Sequence, residues 1–150
     1  MDIKKILTIL IIALALFSCM GAASAGLFDF LGGMESHTFS GFTLDIPSGS
    51  NVNENYVTIN NVSFMTSNIE SGSHNFTVYL TEGSVVSKEK YISNWVSDGA
   101  TNEGTHGNWT IIKEKDGNYR LAKHGDSRII EIRGDDLEFL KKVADSYKKA

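Results

Sequence analysis

The chain has 150 residues, with 14 Lys and Arg against 18 Asp and Glu and a formal net charge of −4, a balance that disfavours general attraction to nucleic acid. Cys19 is the only cysteine, so no intramolecular disulfide framework is available. The length suits one domain that buries its core without covalent staples.

Residues 1–5 carry Lys4 and Lys5, and the uncharged run ILTILIIALALFSCM follows, the order of a positive and then an apolar region that export signals require. Ala23-Ser24-Ala25 before Gly26 fits the small-x-small pattern of a leader-peptidase site, so residues 1–25 are expected to be a signal peptide cut between Ala25 and Gly26. Two other fates stay open. Residues 6–28 are uncharged and exceed the roughly 20 residues that cross a bilayer core, as an uncleaved anchor would. Leu16-Phe17-Ser18-Cys19 is similar to a bacterial lipobox with Cys19 as the lipidated residue, although Phe17 is bulky where small residues are usual. Membrane contact is therefore expected through this segment, before or without cleavage, and the remainder is placed outside the cytoplasm, secreted or at the outer face of the cell membrane. Losing Asp2, Lys4 and Lys5 leaves 12 basic residues (14 less 2) against 17 acidic (18 less 1) and no cysteine.

Residues 26–37 mix Gly with apolar residues without a sustained period and read as a linker, leaving 38–150 as one domain. Phe42, Leu44 and Ile46 then alternate with Thr43 and Asp45 up to Pro47-Ser48-Gly49, the period of a half-buried strand. Strands over 56–59 and 62–65 flank Asn60-Asn61; with these two as the turn, Ile59 faces Val62 and Val57 faces Phe64 on one side of a hairpin. Phe76, Val78 and Leu80 alternate in a fourth strand. The period changes after Ser87, a candidate cap for a helix with Tyr91, Ile92, Trp95 and Val96 on one stripe, stopped by Asp98-Gly99. Residues 98–108 read as a polar loop. Strands over 109–113, 119–123 and 128–133 form a meander, with Asp116-Gly117 and Gly125-Asp126 at its turns. Asp135 is the candidate cap of a last helix, with Glu138 three residues on, Leu137, Leu140, Val143, Ala144 and Tyr147 on one face, and Lys141, Lys142, Lys148 and Lys149 toward its C-terminal end. The order ββββ-α-βββ-α predicts an α+β domain, an antiparallel sheet of about six to seven strands with two helices packed on it.

The stretches GFTLDIPSG, KEKYISNWV and IIEIRGDDLEFLKKVADSY resemble small exported proteins of methanogenic archaea of unknown function. Their layout is similar to the PsbP/Mog1 type of α/β sandwich, in which an aromatic-rich strand ending in Pro opens the domain and a helix closes it. The resemblance covers most of 38–149, implies the layout, and carries over no catalytic residue.

Three N-x-S/T sequons mark Asn61, Asn75 and Asn108 as candidate glycosylation sites in an exported chain. His37, His74, His106 and His124 have no metal-ligand spacing, so no metal site and no cofactor are expected. His124-Gly125-Asp126-Ser127 holds the residue types of a hydrolytic triad, but neighbours on one turn rarely meet with the directionality a triad needs. Asp135-Asp136 is better explained by helix capping than as a carboxylate pair. The polar stretch 98–108 lies between Trp95 and Trp109, and an exposed indole beside Asn102, Glu103 and His106 would suit a sugar ring. Set against that, both indoles also fit an apolar stripe or a strand's inner face. The function expected is a non-catalytic binding or interaction module of the cell envelope, with envelope glycan or an envelope protein as partner. The alternative is a secreted hydrolase of envelope polymers that uses His106 or His124 with nearby carboxylates.

Overall fold

The computed structural model describes residues 33–72 and 74–150; Cys19 and the Ala25 and Gly26 junction lie outside them, so the leader readings rest on sequence. In chain order the elements are β1 (Met34–Phe39), β2 (Phe42–Pro47), β3 (Asn51–Ile59), β4 (Val62–Glu70), β5 (Asn75–Glu82) and α1 (Lys88–Ser97). There follow β6 (Thr101–His106), β7 (Trp109–Lys113), β8 (Tyr119–His124), β9 (Arg128–Gly134), α2 (Leu137–Asp145) and the short β10 (Lys148–Lys149). The fold is mixed α+β. Seven strands form one antiparallel sheet in the order β3-β4-β5-β9-β8-β7-β6, and β1-β2-β10 form a second, three-stranded sheet.

The hairpin at Asn60-Asn61 is as expected. Both residues have positive φ, 49° and 63°, which suits the right-handed twist of a two-residue turn, and Ile59 pairs with Val62 and Val57 with Phe64. Ser87 caps α1 by accepting from the Lys90 N–H. Other expectations are corrected. β2 leaves the large sheet for the small one, with β1 on one side and β10 on the other. β1 begins inside the segment read as a linker, its residues pairing from Met34↔Pro47 to Phe39↔Phe42, with Phe39 buried in the core. The presumed loop after α1 is largely strand β6, which pairs with β7 across a bulge at Glu103. Asp136 rather than Asp135 caps α2, its Oδ1 accepting from the Phe139 N–H at 3.1 Å. The helix also stops at Asp145, so Lys148 and Lys149 pair with Thr43 and Phe42 instead of extending it.

Strand alternation gives the large sheet two unlike faces. On one, Met65, Ile69, Phe76, Val78, Leu80, Trp109, Ile111, Leu121, Ile130 and Ile132 form a continuous buried layer. Phe42, Leu44 and Ile46 of the small sheet and Phe139, Leu140 and Val143 of α2 cover this α2 face. Burial of each such side chain contributes roughly 1.5–3 kcal/mol, so this layer dominates the stability of the domain. The opposite face carries α1 over a smaller cluster of Tyr91, Ala100, Ile112, Ala122 and Ile129. Around that cluster the α1 face is polar and charged, and the candidate site lies there.

Candidate functional site

Trp95 is set by the end of α1. After the cap residue Asp98, Gly99 takes φ +94°; its N–H donates to the Val96 carbonyl and that of Ala100 to the Trp95 carbonyl, the paired bonds of a Schellman motif. The motif ties down the Trp95 backbone and tucks Ala100 beside the helix. A Cβ at Gly99 would come within 2.8 Å of Cε of Lys115, a flexible side chain that can swing aside, so it is the positive φ that calls for glycine here.

Arg120 of β8 fixes the indole itself. Its guanidinium carbon lies 4.6 Å from the centroid of the Trp95 ring and 4.8 Å from that of Tyr79, a cation held against two aromatic rings. Nε of Arg120 donates to Glu114 at 3.3 Å and Nη1 to Glu131 at 3.1 Å, while the Tyr91 hydroxyl donates to the same Glu131 oxygen at 2.6 Å. Arg133 donates to Glu114 at 2.8 Å and to Asp116 at 2.6 Å. Burial by itself pushes Arg120 down, but the carboxylates of Glu131 and Glu114 more than offset it and hold the cation above its ordinary range. Burial, reinforced by the Glu131 carboxylate, raises Tyr91, which stays protonated as a donor. Asp116 is held below the usual carboxylate range, first by the backbone N–H of Asn118 and then by Arg133.

An open cavity of about 420 Å³ adjoins this network, lined by Trp95, Ser97, Asp98, Ala100, Glu114, Lys115 and Asp116. One aromatic wall, a hydroxyl and three carboxylates border the hollow, a lining more polar than the mostly apolar one usual for small-molecule sites and suited to a hydroxyl-rich ligand. A larger hollow of about 560 Å³ lies at Gly41, Gly125, Asp126, Ser127, Arg128, Tyr147 and the last two residues. Its one ring, Tyr147, is already packed against Phe42 and Trp109 and carries Lys123.

The five residues expected to converge on a ligand do not. Trp109 is 4% exposed within the core of the α2 face, its ring 6.1 Å from Tyr147, so its indole is no stacking platform. His106 sits opposite Trp109 across the β6–β7 ladder and bonds Asp145 of α2 at 2.7 Å, which places it on the α2 face. Asn102 pairs with Ile112, and its side chain accepts from the Gly104 N–H to shape the bulge that holds Glu103. Only Trp95 borders the cavity. Glu114, Asp116 and Arg120 carried no sequence motif; their signal was the Asp116-Gly117 turn, which swings both acids toward the end of α1.

The remaining histidines are dispersed. His37 contacts Glu54 and His74 contacts Asp136, each at 3.3 Å. Neither ring nitrogen of His124 has surface exposure or a hydrogen-bond partner among the described residues, and its ring stands edge-on to Tyr91 at 5.0 Å. Burial holds His124 below its ordinary pKa. Among the described residues no three His, Cys, Asp or Glu side chains gather as metal ligands. Asn61, Asn75 and Asn108 are all exposed, at a turn, a strand start and a turn. Of the sequon hydroxyls, Ser63 is exposed and Thr77 half-buried, whereas Thr110 is buried with its hydroxyl unpartnered among the described residues.

No protein-family model, curated protein or solved structure matches this chain.

Proposed function

We propose that this chain is a non-catalytic binding module of the cell envelope, secreted or held at the outer face of the membrane, and that the Trp95 cavity takes a glycan. The observation that carries this reading is the immobilised indole: Arg120 lies over Trp95 at 4.6 Å beside a cavity rimmed by Ser97, Asp98, Glu114 and Asp116. A pyranose presents an apolar C–H face to an aromatic ring and hydroxyls to carboxylates, and a platform already ordered by Arg120 loses little entropy on binding. The uncharged leader after Lys4 and Lys5 supports a place outside the cytoplasm.

The alternative, a secreted hydrolase working through His106, is supported by the His106 and Asp145 contact at 2.7 Å, on the opposite side of the sheet from Trp95. One experiment separates the two. The exported protein is titrated calorimetrically with oligosaccharides released from cell envelopes, as wild type, Trp95→Ala and His106→Ala. Trp95→Ala is expected to weaken binding at least about tenfold, about 1.4 kcal/mol, with His106→Ala unchanged. Loss of binding or appearance of cleavage that depends on His106 and not on Trp95 would move the site to the α2 face and overturn the proposal.

A further inference from the structure

The large sheet ends in two unlike edges. β6 is short, bulged at Glu103 and interrupted by Gly104, the devices that blunt an edge strand. β3, at the other end, runs nine residues, NVNENYVTI, with an unbroken register against β4 and no Gly, Pro or Lys. Among the described residues no backbone hydrogen bond joins β3 to anything outside its own sheet. The large apolar side chains left exposed gather here. Tyr56, Val57, Ile59 and Phe64 are 60%, 53%, 57% and 41% exposed; Val86 and Val96 are the two found elsewhere among the described residues. Such an edge is a template for another strand.

We infer that β3 pairs antiparallel with β3 of a second copy of this chain, about a two-fold axis at Val57. The second copy is favoured because the pattern is self-complementary. With Val57 opposite its own equivalent, Tyr56 meets Thr58 and Asn55 meets Ile59, so no charge faces a like charge, and Glu54 falls beyond the paired residues. Because Val57 pairs with Phe64 and Phe64 with Thr81 in each copy, the axis joins two Phe64-Val57 rows into one apolar stripe across the combined sheet. Aromatic and β-branched cross-strand contacts of this kind stabilise sheets. The full-length alignment, centred on Asn55, would set Val57 against Asn53 and Ile59 against Asn51 and lose that stripe. Five paired residues a side with these side chains bury on the order of 800 Å², below a standard specific interface of about 1,200 Å² or more, so the dimer is a weak, concentration-dependent one.

Opposed residues of antiparallel strands have Cα atoms about 4.5–5.5 Å apart, within the span of about 4.4–6.8 Å that a disulfide bridges. The test uses the full chain with Cys19→Ser, exported by a host with its own type of export machinery and carrying either Val57→Cys or, on the other edge, Thr101→Cys. Both positions are exposed, so neither change opens a cavity. Mild oxidation is expected to convert most of the Val57→Cys chain to a covalent dimer and little of the Thr101→Cys chain, and adding Ile59→Lys to Val57→Cys reduces the dimer at least fivefold. Equal cross-linking at both positions, a Val57→Cys chain that stays monomeric, or its capture in a mixed disulfide with another protein would each overturn the inference.

Discussion

Arg120 and Arg133 stand directly opposite each other on β8 and β9, an arrangement that like charges disfavour across a ladder. Glu114 resolves it, since one of its carboxylate oxygens accepts from both guanidinium groups. Its side chain is 10% exposed, like that of Arg120, so neither charge is well screened by water. Glu114→Gln is expected to lower the free energy of unfolding by about 2–3 kcal/mol, less than a fully buried broken pair because Arg133 is partly exposed. Urea denaturation measures that loss. Adding Arg133→Met, which removes one of the facing cations, should recover part of it, and no recovery would refute the clamp. The proposed glycan platform depends on the same residue, because the guanidinium that Glu114 steadies is the one that lies over Trp95.

Elements whose own side chains fix their state were legible in the sequence. The Asn60-Asn61 turn, the Ser87 cap and the meander around Asp116-Gly117 each follow from local chemistry. Elements that exist only because a neighbour pairs with them were not. The β6 residues Thr101–Thr105 are all exposed and the run contains Gly104, so no alternation marked them; β7 and the bulge make them a strand. β1 is likewise a polar edge whose pairing to β2 no local pattern predicts. The candidate site was legible in one residue, Trp95, from its place beside the polar stretch 98–108, while Trp109 followed its strand's inner face. At α2 the two adjacent acids divide cleanly: Asp136→Ala is expected to cost about 1 kcal/mol through loss of the Phe139 N–H cap, and Asp135→Ala only a few tenths. Thermal unfolding of the two variants side by side checks it, and equal effects would disprove the assignment.

For the whole molecule, His124 ties stability to acidity. Its ring lies between β8 and α1, edge-on to Tyr91, and burial keeps its folded pKa below the ordinary value. The unfolded chain therefore takes up a proton near pH 6.5, about a histidine's free value, while the folded chain does not. Folding stability is complete above that pH, declines as pH falls through it, and levels off below the folded pKa. The unfolding midpoint of the wild type should drop between about pH 7 and pH 5.5, and His124→Phe, which keeps a ring beside Tyr91 without nitrogens to protonate, should flatten that drop. A profile unchanged by His124→Phe would place the acid sensitivity elsewhere.

The buried hydroxyl of Thr110 bears on when Asn108 could be modified. An enzyme that modifies Asn108 reads the hydroxyl two residues on, and once β7 has joined the sheet that hydroxyl is sealed beneath it. If the chain is glycosylated, a sugar at Asn108 would have to be attached before β7 joins the sheet. At Asn61 the hydroxyl of Ser63 stays exposed on the finished hairpin, so that sequon would stay accessible to such an enzyme after folding. In a glycosylated chain, occupancy at the two asparagines would then record different moments, Asn108 the interval before the sheet closes and Asn61 any time after it.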